Sequence, residues 1–215
     1  MRRVLLCLVA LTLALSVASL PGVAAAETYA AKLRRAVADL PAAPEVRRGY
    51  EREQFEHWID ADGDGCSTRE EVLLIEATDP VTVSGSCTVE EGRWFSYYDR
   101  QEWTDPADVD IDHLVPLSEA WASGARRWRA KVRTRFANDL RDRRSLVAVT
   151  DNINQSKSDR DPADWLPDSG RCRYVREWVT VKHRWRLRVD RPEKGVLRDL
   201  AADCDNDRIR VRIAR

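Results

Sequence analysis

Four cysteines downstream of an export-type leader constrain this chain more than any other feature. Arg2 and Arg3 precede an apolar run from Val4 to Leu20, and Ala24-Ala25-Ala26 follows as a small-residue cleavage pattern before Glu27. The run is short for a membrane anchor and the cleavage pattern follows it at once, so residues 1–26 are expected to be a signal peptide that leaves with Cys7. Cys66, Cys87, Cys172 and Cys204 would then meet an oxidising compartment, where an even number of thiols pairs into disulfides. Of the three possible pairings, Cys66–Cys87 and Cys172–Cys204 are expected, because each closes a compact local unit. No Cys-x-x-Cys spacing favours zinc instead. No later stretch is apolar enough to span a bilayer. Residues 27–215 are therefore expected to form one domain, secreted or extracytoplasmic, with no stable membrane association after cleavage.

The formal net charge is zero, yet it is unevenly divided. Residues 27–125 hold 9 Lys and Arg against 22 Asp and Glu, whereas residues 126–215 hold 25 against 14. An acidic, cation-binding part joined to a basic part suits a polyanionic partner. Two halves that neutralise each other across an interface would have the same composition. Arg126, Arg127, Arg129, Lys131, Arg133 and Arg135 could track a phosphate backbone or simply form a solvated helix face.

Apolar spacing predicts helices over 28–40, 48–58, from Thr68 onward, 126–140 and 152–159, with a short one from Asp161-Pro162 to Trp165. Two more, near 173–188 and 193–204, would pack as an antiparallel pair and bring Cys172 to Cys204. Strands are expected at 81–83 and 87–98 around Ser84-Gly85-Ser86, at 111–117 and at 146–150. Ser118 is expected to cap a helix carrying Glu119, Ala120 and Trp121.

One segment of this α+β plan is chemically unusual. Asp110-Ile111-Asp112-His113-Leu114-Val115-Pro116 places an imidazole and two carboxylates in an apolar, strand-like run. A carboxylate beside an imidazole can orient it, raise its pKa or share a metal ion with it. Leu146-Val147-Ala148-Val149-Thr150 leads into Asp151-Asn152-Ile153-Asn154-Gln155-Ser156-Lys157-Ser158-Asp159, so an Asp-His strand, a second strand and an Asn-bearing helix would converge on one ion. Neighbours on a regular strand point to opposite faces, however. Asp112 and His113 both reach one phosphate only near a strand end, and Pro116 is consistent with such an end.

DIDHLVPLSEAW followed by LVAVTDNINQSKSD resembles the HNH nuclease motif, the ββα-metal fold, and most of all its secreted bacterial branch. The motif covers residues 110–159, and the wider resemblance runs from about residue 60 to residue 204. It implies a ββα-metal core wrapped by helices, in an exported, metal-dependent endonuclease hydrolysing phosphodiester bonds in nucleic acid, with DNA the expected substrate. His113 stands at the general-base position, and Asp112 and Asn154 at the metal-ligating positions. Oxygen donors suit Mg²⁺ or Mn²⁺. Lys157 and Arg160 would follow Asn154 as phosphate contacts. The central Asn of the motif, which pins the loop near the second strand, has no clear counterpart; Ser145 or Asn138 would have to serve. The alternative is a non-catalytic calcium-binding or cell-surface interaction protein that keeps the ββα scaffold. No Gly-x-Ser-x-Gly or His-Glu-x-x-His motif supports a different hydrolase.

Residues 60–71 (DADGDGCSTREE) have the spacing of an EF-hand loop. Asp60, Asp62 and Asp64 occupy positions 1, 3 and 5, Gly65 position 6, Cys66 position 7 through its carbonyl, and Glu71 position 12. Flanked by helices, the loop would form an N-terminal helix-loop-helix holding a structural Ca²⁺. Ser67 stands at position 8, where a paired EF-hand has an aliphatic residue, and no second loop exists. A surface acidic turn held by a disulfide is the competing reading. His57 and His183 have no matched partner and read as structural or surface residues.

Overall fold

The computed structural model describes residues 27–215; the expected signal peptide, 1–26, lies outside the described residues. In chain order the elements are β1 (Thr28–Lys32), α1 (Leu33–Asp39), α2 (Thr68–Glu76), β2 (Thr82–Ser84), β3 (Thr88–Glu91), β4 (Trp94–Ser96), β5 (Gln101–Trp103) and β6 (Val109–His113). Then come α3 (Leu117–Ala122), α4 (Ala130–Ala137), β7 (Leu146–Thr150), α5 (Asp151–Lys157), α6 (Arg171–Trp185), α7 (Arg191–Asp203) and β8 (Arg208–Arg212). The strands form four antiparallel pairs, β1–β8, β2–β3, β4–β5 and β6–β7. This is a mixed α+β fold. Among the described residues no helix is long and apolar enough to cross a membrane.

The β6–β7 ribbon is central, and its register explains why. His113 lies opposite Leu146, Asp112 opposite Val147, Ile111 opposite Ala148 and Asp110 opposite Val149. Because strand side chains alternate, Asp110, Asp112, Val147 and Val149 share one face, and Ile111, His113, Leu146 and Ala148 the other. Val147 and Val149 join the main core, which is built around α6 and its fully buried Tyr174, Trp178 and Trp185. Ile111, Leu146 and Ala148 pack instead with Val72, Leu73 and Trp94 in a second cluster under α2. A ribbon buried on both faces needs a near-continuous apolar run, and 146–150 supplies one. The carboxylates of β6 are the exceptions, and the site below satisfies them.

Both expected disulfides form. Cys66–Cys87 ties the start of α2 to the β2–β3 hairpin with a Cα–Cα distance of 5.0 Å, and Cys172–Cys204 joins the start of α6 to the end of α7 at 5.5 Å. Both distances lie in the range that the bond geometry requires.

Several local expectations are corrected. Residues 48–58 are not a helix: only Arg52–Gln54 form a short 3-10 turn, so the acidic loop is not part of a helix-loop-helix. The reason is tertiary. Carbonyls that a helix would use internally are taken by distant side chains, Arg48 by Trp121 Nε1 (3.3 Å), Gln54 by Arg133 Nε (3.0 Å) and Glu56 by Asn138 Nδ2 (2.8 Å). Residues 28–32 are a strand, not the start of a helix, because the distant 208–212 segment pairs with them. The 87–98 strand is broken between β3 and β4 at Gly92, where a Cβ would lie 2.6 Å from the Trp94 ring. Asp161-Pro162 opens a single turn without a helix, and 126–140 contains only the two turns of α4 after a short 3-10 segment. Ser118 lies inside α3, after Pro116 at the cap position.

Candidate active site

The end of the β6–β7 ribbon opens on a cleft of about 370 Å³ whose lining includes Asp112, His113, Asn154, Ser118, Tyr50 and Arg52. Asp112 and His113 lie on opposite faces of a regular strand, yet both reach this cleft because His113 is the last residue of β6. The sequence objection about strand alternation is met at the strand end.

His113 is buried, and its ring Nε2 lies 2.8 Å from the Ala137 carbonyl oxygen. A carbonyl only accepts, so Nε2 carries the proton and the neutral ring keeps its lone pair on Nδ1. Burial pushes the imidazolium down to about 3; the Ala137 contact opposes the shift, and the charges of Arg52 and His57 add to it. The ring packs beside Trp58 (5.2 Å between centroids) and His57 (6.3 Å). The residue after Ala137 fixes the acceptor in place. Asn138 donates to the carbonyls of Glu56 and Thr134 (both 2.8 Å) and accepts from Ile59 N–H (3.3 Å) and Thr68 Oγ1 (2.8 Å). Of the two residues that could have pinned this loop, Asn138 does so. Ser145 donates to Asp139 instead.

The other face of β6 is matched by α5. Asn154 and Lys157 are three residues apart on one helix face, and Asp110 and Asp112 are two apart on one strand face. Asn154 Nδ2 donates to Asp110 Oδ2 (3.1 Å). Lys157 Nζ donates to both oxygens of Asp112 (2.8 and 2.7 Å) and to the His113 carbonyl (3.1 Å). Tyr98 Oη donates to Asp112 Oδ2 (2.6 Å). Burial pushes the Asp112 carboxyl up and the Lys157 ammonium down, while their pairing opposes both shifts. Tyr98 is itself held by the next segment: Ser169 N–H donates to its carbonyl (2.9 Å), and at Gly170 (φ 65°) a Cβ would lie 2.6 Å from the Tyr97 ring.

This arrangement corrects the role expected for Lys157. Its side chain is fully buried on Asp112, and no phosphate reaches it without breaking that pair. Arg160 is half-buried, with Nε donating to the Lys157 carbonyl (3.2 Å), and it does not line the cleft. In α4, Arg133 is spent on the carbonyls of Gln54 and Trp128, and Arg135 on that of Ala214.

Two oxygen donors are left over by these hydrogen bonds. A carboxylate offers about four lone-pair positions; Lys157 and Tyr98 take three from Asp112, which leaves one on Oδ1. The Asp110 carboxylate accepts from the Asn154 amide nitrogen, so the Asn154 carbonyl oxygen is left for a cation.

The acidic loop has its own geometry. Oxygens of Asp60, Asp62 and Asp64 lie within 4.8 Å of one another. Asp60 also accepts from the N–H groups of Gly63 (2.8 Å) and Gly65 (3.1 Å), and Asp64 from that of Cys66 (2.8 Å). Burial raises the Glu71 carboxyl, and Asp64, Asp62 and Asp60 raise it further. The Cys66 sulfur is committed to Cys87 and offers no ligand.

Residues 76–200 match the family model described as GmrSD restriction endonucleases, C-terminal domain. The chain belongs to that family. The matched span takes in β6, β7, α5 and the cleft lining other than Tyr50 and Arg52, and GmrSD C-terminal membership assigns a nuclease-like function with nucleic acid as the class of substrate and divalent metal as the class of cofactor. An "Uncharacterized secreted protein" of Arthroderma benhamiae is 48% identical over 158 residues, covering 73% of this chain and 76% of that protein. That relative is fungal, so the resemblance is not confined to a bacterial branch. No solved structure matches the chain.

Proposed function

We propose that this chain is an exported HNH-type endonuclease that hydrolyses phosphodiester bonds in DNA, with His113 as general base. The observation that carries the reading is the meeting of Asp112, His113 and Asn154 at one cleft, with His113 Nε2 on the Ala137 carbonyl and Nδ1 left as the basic nitrogen. Nδ1 takes a proton from a water molecule, whose oxygen bonds to phosphorus as the bond to the 3′-oxygen breaks. The leaving 3′-oxygen takes up a proton from solvent, which gives a 5′-phosphate and a 3′-hydroxyl. Asp112 and Asn154 would hold Mg²⁺ or Mn²⁺, which when bound polarises the phosphoryl group and offsets charge on the leaving oxygen. Lys157 and Tyr98 fix the Asp112 carboxylate, and Asp110 turns the Asn154 amide. The two disulfides, and the secreted relative, support export.

Plasmid nicking with Mg²⁺ or Mn²⁺ tests the reading. His113→Ala is expected to lower the rate about 10²–10⁴-fold; unchanged nicking would exclude the base role. Loss of nicking by the wild type under every divalent ion would favour the alternative, a non-catalytic calcium-binding or cell-surface protein on the same scaffold. The loop at 60–71 is proposed to bind one structural Ca²⁺ through Asp60, Asp62, Asp64, the Cys66 carbonyl and Glu71. Calcium then raises the melting temperature, and chelator reverses the rise. A melt that ignores calcium identifies a plain acidic turn.

A further inference from the structure

A phosphodiester brings a negative charge into a cleft that already holds the Asp112 carboxylate. The cations that sequence spacing offers do not answer it, since Lys157 is buried on Asp112 and Arg160 lies outside the lining. Arg52 does line the cleft, and among the described residues it is the one cation that does. It is exposed and makes no salt bridge among the described residues, and Tyr50 lines the same cleft. Its backbone is fixed. The 3-10 turn Arg52–Gln54 closes with Phe55 N–H on the Arg52 carbonyl (3.0 Å), Phe55 is fully buried in the main core, and Arg133 holds the Gln54 carbonyl (3.0 Å). An anchored turn thus presents to the cleft a planar guanidinium that is not committed to a carboxylate. This residue lies before the span matched by the family model, 76–200.

We propose that Arg52 binds the non-bridging oxygens of the phosphodiester that lies against His113, and so serves as the phosphate contact of this active site. The proposal rests on the nuclease reading above. A guanidinium matches two phosphate oxygens with two parallel N–H donors, which an ammonium cannot do. Such a contact positions the backbone and carries no sequence preference.

The test compares the wild type with Arg52→Ala and Arg52→Lys in steady-state cleavage of a DNA duplex and of bis(4-nitrophenyl) phosphate with Mn²⁺. Arg52→Ala is expected to lower kcat/KM about 10–10²-fold on both substrates, with Arg52→Lys intermediate. A second measurement needs no turnover. In a His113→Ala background, duplex binding is followed by fluorescence anisotropy across salt concentrations, and adding Arg52→Ala is expected to reduce the salt slope by about one phosphate contact, close to 0.9 in log–log units. Equal kcat/KM and equal salt slopes would overturn the role of Arg52. Lost activity with an unchanged slope and no benefit from Lys would also overturn it, because the residue would then be structural. Wild type that binds duplex with an Arg52-dependent slope yet never cleaves would sink the nuclease reading and keep the phosphate contact.

Discussion

Among the described residues two lysines are completely buried, and their surroundings differ in a way that separates the site from the scaffold. Lys157 meets one carboxylate, Asp112, at the rim of the cleft. Lys182, on α6, meets two, Glu119 of α3 (2.6 Å) and Glu193 of α7 (3.0 Å), and also donates to the Arg188 carbonyl (2.9 Å). Glu45, Asp161, Asp190 and Arg47 complete this second cluster, which so gathers five carboxylates around two cations. At the site, charge is balanced one for one, and the carboxylate keeps a lone pair for a ligand. In the cluster the excess negative charge is relieved by protons: burial, with Glu119 nearby, raises the Glu45 carboxyl to about 8, and burial raises Glu193 to about 8. Burial alone would push the Lys182 ammonium down, but Glu119 and Glu193 hold it above its usual range. A balanced pair can present an oxygen to a ligand; an unbalanced one stores protons and ties helices together.

The largest expected effect comes from Lys182→Met. It strands two fully buried carboxylates and should cost about 3–5 kcal/mol in denaturant unfolding at pH 8, with a smaller loss at pH 5, where Glu193, raised by burial to about 8, carries its proton. Lys157→Met is next. It strands one carboxylate that keeps its Tyr98 bond, so its cost should fall below that of Lys182→Met and vary less with pH, and Asp112→Asn in the same chain should recover part of it. Nicking should fall in Lys157→Met even where the protein is folded, because Asp112 loses its orientation. The comparison fails if the two lysine variants have the same cost and the same pH dependence.

What was legible in the sequence follows the range of the interactions. Asp112, His113 and Asn154 could be grouped because their two blocks stand in order on strands and a helix with clear patterns. Lys157 was misread because it sits in a polar run, where a lysine ordinarily points to water. A signal was present all the same: Asn154 and Lys157 share a helix face at the spacing that could meet Asp110 and Asp112. Tyr98 and Arg52 had no such signal, since each reaches the site from a segment with its own local pattern. The β1–β8 pair was missed because Thr28–Lys32 has helix-like composition and its partner lies at the other end of the chain. The irregular path of 48–58 depends on Trp121, Arg133 and Asn138, all distant in sequence.

The smallest effect, and the most discriminating for the cluster, is the pH dependence of stability above neutrality. Below about 6.5, the ordinary histidine value, His113 works in the opposite direction: its imidazolium is held near 3 in the folded chain, so the unfolded chain binds the extra proton and stability rises with pH. Glu76, raised by burial to about 7, is half titrated at neutrality and contributes to the lower part of the window above it. Through about pH 8 the cluster's groups losing protons are Glu45 and Glu193, which face Glu119, Asp161, Asp190, Lys182, Arg47 and, on the Glu193 side, the Trp178 indole. Their folded values lie above their unfolded ones, so the folded chain binds more protons and stability falls as pH rises through about 8. The melting temperature should therefore already be falling at neutrality and level off above about pH 8. Glu45→Gln keeps an amide able to donate to Glu119 but never acquires the charge, so it should flatten the decline and melt higher than wild type at pH 9. A flat wild-type profile over that window, or an unchanged slope in Glu45→Gln, would mean that the two cations already balance the five carboxylates, and the contrast between the two lysines would reduce to their number of partners.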